Sequence, residues 1–219
     1  TITFDGADSS MTVIESQGTA VATIVFDGAS NIKIKNLGVR HTGEENAAIL
    51  FGPEANHNEI LNSSLWVKGR SSSYSMPLSF SGNTSSTTIT GATASYNLVK
   101  NNRLANGYYG IRMYGASADP LVGNQFIGNI IDSTNYYGMY TYYTDSLEVI
   151  GNTILGANYG AYIYYPANFI FNANNISSTT YGAYLYAFSL PTGSSTTRWN
   201  EIINNMVISK GNIGIYTYY

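Results

Sequence analysis

The sequence predicts an all-β fold, a parallel β-solenoid of about 22–30 residues per coil, on three observations. The pair Tyr-Gly recurs as Tyr109-Gly110, Tyr137-Gly138, Tyr159-Gly160 and Tyr181-Gly182, with a looser relative at Ile213-Gly214. Each glycine opens a segment of period-two alternation, such as Ala161-Tyr162-Ile163-Tyr164 and Ala183-Tyr184-Leu185-Tyr186, which is the period of a strand. A second recurrent shape ends on an apolar residue: Asn36-Leu37-Gly38-Val39, Asn62-Ser63-Ser64-Leu65, Asn101-Asn102-Arg103-Leu104, Gly128-Asn129-Ile130-Ile131, Gly151-Asn152-Thr153-Ile154, Ala173-Asn174-Asn175-Ile176 and Asn204-Asn205-Met206-Val207. No helical period runs for ten residues, and the repeat is too short for paired helices.

In a solenoid, successive coils stack about 4.8 Å apart and like residues form columns through the core. Val39, Leu65, Leu104, Ile131, Ile154, Ile176 and Val207 make one such inward column. The second position of the same shape is Asn in five of the seven copies. Asn tolerates the left-handed backbone of a tight corner, and its amide can bond its equivalent in the next coil. About nine coils would form a rod on the order of 40 Å long.

Residues 200–207 followed by Gly214-Ile215-Tyr216 resemble the parallel β-helix repeat of the pectin lyase-like superfamily, over about residues 26–219. That resemblance implies a right-handed coil with three sheets. It leaves chemistry open, because the fold carries lyases, hydrolases, epimerases, tailspikes and adhesins. The spacing stretches at residues 81–93, 116–120 and 189–198 after the alternating strand, and at 40–46 and 68–75 after the Asn-containing one. Their Ser, Thr and Gly content predicts solvated loops.

Composition narrows the function. Only 11% of the 219 residues are charged and the net charge is −3, so no basic stripe exists to neutralise a phosphate backbone, and nucleic acid is not an expected partner. No apolar run is long enough for a membrane-spanning helix. The chain has no cysteine, hence no disulfide or thiolate metal site, which fits bacterial secretion. Thr1 is not an initiator Met and the repeat is cut abruptly at both ends, so 1–219 reads as a single solenoid segment excerpted from a longer chain.

Hydrolases of the resembling family carry an Asn-Thr-Asp triplet, an Asp-Asp pair, a Gly-His-Gly and an Arg-Ile-Lys, and none occurs here. Glycoside hydrolysis needs two carboxyls at a set separation, and the acidic residues share no exterior column except Asp5 with Asp27. That pair lies one 22-residue shift apart in Phe4-Asp5-Gly6-Ala7 and Phe26-Asp27-Gly28-Ala29. Stacked carboxylates could hold calcium, although an Asp-Gly turn explains both copies with no ligand. His41 and His57 lack a third ligand and read as polar loop residues. No catalytic residue and no metal ligand is assigned.

Tyrosine is the anomaly, at 20 residues. With Ile111, Met139, Ala161, Ala183 and Ile215 inward, alternation sends Tyr140, Tyr162, Tyr184 and Tyr216 outward in one column and Tyr114, Tyr142, Tyr164, Tyr186 and Tyr218 in a second. Stacked aromatics strengthen neighbouring strands. A contiguous exposed aromatic strip also marks an interface, by self-association with another copy or with other chains or parts of the same assembly in a filament or bundle, or with a polysaccharide, its sugars lying on the rings. The composition resembles segments of giant secreted bacterial adhesins and appendage proteins, which implies a structural and adhesive role at the cell surface. A polysaccharide-binding or polysaccharide-degrading protein is the alternative.

Overall fold

The computed structural model describes residues 1–188 and 199–218. The insertion at 189–198 lies outside them. Among the described residues there is no helix, and 25 strands form three parallel sheets. Each coil contributes one strand to each sheet, and one coil adds to the third sheet the short strand Leu121–Val122, paired with Tyr137–Asp145. The first sheet begins with Ile2–Asp5, the second with Val13–Ser16 and the third with Ala22–Phe26. Eight coils result, not about nine, because the insertions lengthen individual coils without adding a turn. The product is a right-handed parallel β-solenoid.

The expected inward column is continuous. Ile14, Val39, Leu65, Leu104, Ile131, Ile154, Ile176 and Val207 are paired in register along the second sheet. The first sheet adds Ile34, Ile60, Val99, Phe126, Val149 and Phe171, and the third adds stacked Phe26, Phe51 and Phe80 with ring centroids 4.7 Å apart. One core runs from Phe26 to Leu185.

The corner between the first and second sheets is two residues long in every coil after the first, and those residues divide the work that the sequence assigned to one Asn. The leading residue carries the left-handed backbone: Asn36, Asn62, Asn101, Gly128, Gly151, Ala173 and Asn204 all have φ between 48° and 65°. The Asn that follows does not. It points inward and builds a ladder. The Asn152 side-chain oxygen accepts from the backbone N–H and the amide of Asn129, both at 2.9 Å, while its own amide donates to the Phe126 carbonyl at 2.8 Å and to Asn174 at 3.1 Å. Asn102, Asn129, Asn174 and Asn205 repeat the pattern.

A second ladder that the sequence reading misses lies at the corner entering the first sheet. There Asn58 donates its backbone N–H to Asn97, and Asn97 its own to Asn124. Leu147 and Phe169 take over the column beyond. Left-handed His57, Tyr96 and Gly123 precede these asparagines. Exposed His57 stacks on Tyr96 at 5.0 Å.

Two expectations fail here. Asp5 and Asp27 do not stack, because Asp5 ends a first-sheet strand and Asp27 follows a third-sheet strand. Asp5 instead pairs with Lys35 at 2.8 Å, and hydrogen bonds from Lys35 and then Asn36 hold its carboxyl below the usual range. The two-carboxylate site for calcium does not form. Asp27 does precede a left-handed Gly28, as a turn requires. His41 is not a loop residue: it ends the strand Gly38–His41, is fully buried, and bonds the Ser16 hydroxyl through Nδ1 at 2.9 Å. Burial pushes its pKa down.

Removing a ladder Asn strands several buried polar groups at once. Asn152→Ala is expected to cost about 2–4 kcal/mol, read as a fall in the denaturant midpoint. Gly160→Ala tests the core side of the Tyr-Gly pair. A Cβ there would sit against the Ile176 side-chain methyl and 2.5 Å from the Gly182 carbonyl oxygen, so a loss of about 3 kcal/mol or more is expected by the same measurement.

Candidate functional site: the tyrosine face

The outer surface of the third sheet is built by the strands Tyr109–Tyr114, Tyr137–Asp145, Tyr159–Ala167, Tyr181–Tyr186 and Ile213–Tyr218. All nine tyrosines expected on it are there. Tyr140, Tyr162, Tyr184 and Tyr216 pair in register, as do Tyr114, Tyr142, Tyr164, Tyr186 and Tyr218. Their inward partners are as expected from Ile111 to Ala183. Ile215, in the last coil, is 46% exposed.

The face is wider than alternation predicts. Gly110 and Ile111 both point inward, the pairing register passes over the glycines, and Tyr109 is thereby turned out. Only a residue without a Cβ fits this position, since a Cβ on Gly110 would meet the Ile131 side chain. The same kink in following coils creates a third column of Tyr109, Tyr137, Tyr159 and Tyr181. The signal was present in the Tyr-Gly repeat, where Tyr reads as mere punctuation if the glycine is taken as the start of the strand.

Tyr108 stacks on Tyr136 at 5.2 Å beside this column. At the opposite edge Tyr143 and Tyr165 stack at 4.7 Å, both with φ of 52°. A left-handed tyrosine costs roughly 1–2 kcal/mol, and stacking together with edge contacts to Tyr142 and Tyr164 offsets it. Among the described residues every tyrosine except Tyr74 and Tyr96 belongs to this surface.

Ring orientation decides what the surface offers. Within the two predicted columns, neighbours lie 4.4–5.2 Å apart with planes within 14°. Parallel rings that close must overlap face to face, so each ring covers its neighbours' faces along the rod axis. Ring planes in the third column stand at 62–89° to those of the Tyr140 column, a herringbone. Along the columns the ring faces are thus taken up largely by neighbouring rings.

Desolvation first, and neighbouring phenols second, raise the phenol pKa values. Tyr142 and Tyr162 are pushed up to about 12, while Tyr137 and Tyr140 are raised further.

Residues 81–93 bound the strip at one end. The expected solvated loop is instead a strap whose Thr87 is fully buried. Its Thr87 carbonyl accepts from the Ser79 hydroxyl at 2.6 Å, and its Thr88 carbonyl accepts from Arg112 at 2.9 Å. Arg112 occupies the Tyr140 column one coil upstream, 6% exposed, with its guanidinium 5.4 Å from the Tyr114 ring centre. Burial lowers its pKa against the opposing pull of Tyr109 and Tyr140.

Of the described ion pairs, Lys33–Glu59, Lys35–Asp5 and Arg103–Asp132 lie on the first and second sheets, and Lys68–Glu44 joins the segments that follow second-sheet strands. The second sheet also carries a shallow open concavity of about 380 Å³ lined by Glu15, Arg40, Thr42, Ser64, Trp66 and Arg103. Glu15 is its one lining carboxylate. Among the described residues no three His, Cys, Asp or Glu converge on a metal position, and no helix is long and apolar enough to cross a membrane.

Among known families, the one describing the right-handed β-helix region matches residues 22–219. No curated protein and no solved structure matches the chain.

A raised phenol pKa means the fold favours neutral tyrosine. The associated stability is complete below the unfolded value near pH 10 and is lost as pH rises through the folded values, near 12 for Tyr142 and Tyr162. Tyrosinate absorbance of the native protein is expected to rise at higher pH than in denaturant, with folded signal lost across the same interval. Superimposable curves would contradict the packing described.

Proposed function

The chain belongs to the right-handed β-helix family, and from that premise we propose that it is a structural and adhesive module of a secreted bacterial surface or appendage protein, working through its tyrosine face. The observation that carries this reading is the face itself: three in-register aromatic columns on one sheet, whose charged side chains among the described residues are Arg112, buried under the strap, and Asp145 at the edge. Soluble monomers seldom leave an aromatic surface of this extent without a partner. Stacking alone does not require tyrosine outward, since Thr or Val would satisfy the strands at lower apolar exposure. Low charge and the lack of cysteine support an extracellular setting, where neutral Asn, Ser and Thr cover the remaining surface.

The second reading, a polysaccharide-binding or polysaccharide-degrading protein, draws on the second-sheet concavity, where Trp66 stands beside Arg40 and Arg103. An indole and the Arg40 guanidinium suit an acidic sugar, while Arg103 is already held by Asp132.

Two measurements separate the readings. Adsorption to abiotic and bacterial surfaces, followed on a microbalance, is expected to fall about tenfold in Tyr162→Thr/Tyr184→Thr, a change worth about 1.4 kcal/mol. Unchanged adsorption removes the tyrosine face from the function. Release of reducing ends or unsaturated sugars from acidic polysaccharides, abolished by Arg40→Ala, would replace the adhesive reading with an enzymatic one.

A further inference from the structure

We infer that the partner of the tyrosine face is the tyrosine face of a second copy of this chain, packed strip to strip with the two rods side by side. The inference rests on the adhesive reading above and names the occupant of the same surface.

Three features point to a like partner. The first is chemical. A phenol hydroxyl both donates and accepts a hydrogen bond, and ring edges carry the positive side of the quadrupole. A lattice of hydroxyls and edges with no net charge is therefore complementary to itself. Among the described residues the columns themselves hold no exposed charge to select a charged ligand: Arg112 is buried and directed at the strap, and the Asp145 carboxylate lies at the edge beside Tyr143 and Tyr165, where it accepts from Asn168. The Tyr137 and Tyr140 columns stand in a herringbone, at 62°, so ring edges run in two directions across the strip.

The second is metric. The hydroxyl rows repeat with the coil rise of about 4.8 Å. A ligand whose repeat differs by about 0.5 Å per unit would be out of step by about 2 Å after four coils, enough to lose hydrogen bonds. Another copy has the same rise by construction, so every row meets a row. The relation is isologous, one patch meeting its own equivalent about a two-fold axis.

The third is orientation. The ring faces that would bind sugars are already occupied within each stack, whereas edges and hydroxyls are what an opposing strip needs.

Extent sets the strength. Five coils by three columns give a strip of roughly 500 Å², below the roughly 800 Å² that each partner buries in a stable complex. Pairing of isolated chains is thus weak. It becomes firm where many strips are held together, as in a bundle.

Sedimentation equilibrium of the 219-residue chain across the micromolar to millimolar range tests this, alongside Tyr162→Lys/Tyr184→Lys, with circular dichroism confirming that the variant folds. The expected result is a weight-average mass rising toward twice the monomer for the wild type, with at least a tenfold weaker association for the variant. A wild type that stays monomeric overturns the inference, and so does association that the lysines leave unchanged, which would place the contact at the open coil ends. Retention on insoluble neutral polysaccharide, measured in parallel, separates the two levels of argument. If a monomeric wild type is retained and the variant is not, self-pairing is overturned while the adhesive face stands. If the wild type neither pairs nor is retained, and surface adsorption is insensitive to Tyr162→Thr/Tyr184→Thr, both readings fall.

Discussion

Everything on the surface of this protein depends on coils that repeat in strict register, and the register is held at the corner between the first and second sheets. A two-residue corner leaves backbone groups that cannot reach a ladder partner, and in the interior each unmet group would cost about 1–3 kcal/mol. The inward Asn answers this from both ends of its amide, accepting from the coil before and donating to the coil after. Because each amide is bonded to the next, a coil cannot slip by one residue without breaking several buried bonds at once. The tyrosine rings on the far sheet can align row on row only because this corner does not vary.

The same economy explains where variation is allowed. The other two corners carry insertions, and one of them folds back as the strap over Ser79 and Arg112. Burying a guanidinium without a carboxylate is costly. Two carbonyls of the strap, the ring of Tyr114 and the hydroxyl of Tyr109 share the task. Arg112 thereby joins the strap to the first row of the aromatic strip and marks where the strip begins.

The inward column from Val39 to Val207 could be read from sequence because each coil presents the same four-residue shape and core residues must be apolar. The nine outward tyrosines could be read because period two is unambiguous once a strand is identified. The third column was hidden by a backbone event: at Gly110 and its equivalents two successive residues face inward, and no alternation rule anticipates that kink. The Asp5–Asp27 pairing misled because a local resemblance of four residues carries no information about which sheet each copy enters. His41 misled because a lone histidine beside glutamates reads as solvated, while its burial depends on the Ser16 hydroxyl 25 residues earlier. The strap was invisible since Ser and Thr serve equally well against water and against backbone carbonyls.

The direction of the backbone bonds has a mechanical consequence. In this solenoid the inter-coil hydrogen bonds lie along the rod, so a pull on its two ends loads neighbouring coils in series and peels them one at a time. Each released coil of about 22–30 residues yields about 70–100 Å of extended chain in place of about 4.8 Å of rod. A tether built in this way would lengthen stepwise under tension and dissipate work at each step, and between Asn102 and Asn205 each step would also have to break a rung of the asparagine ladder.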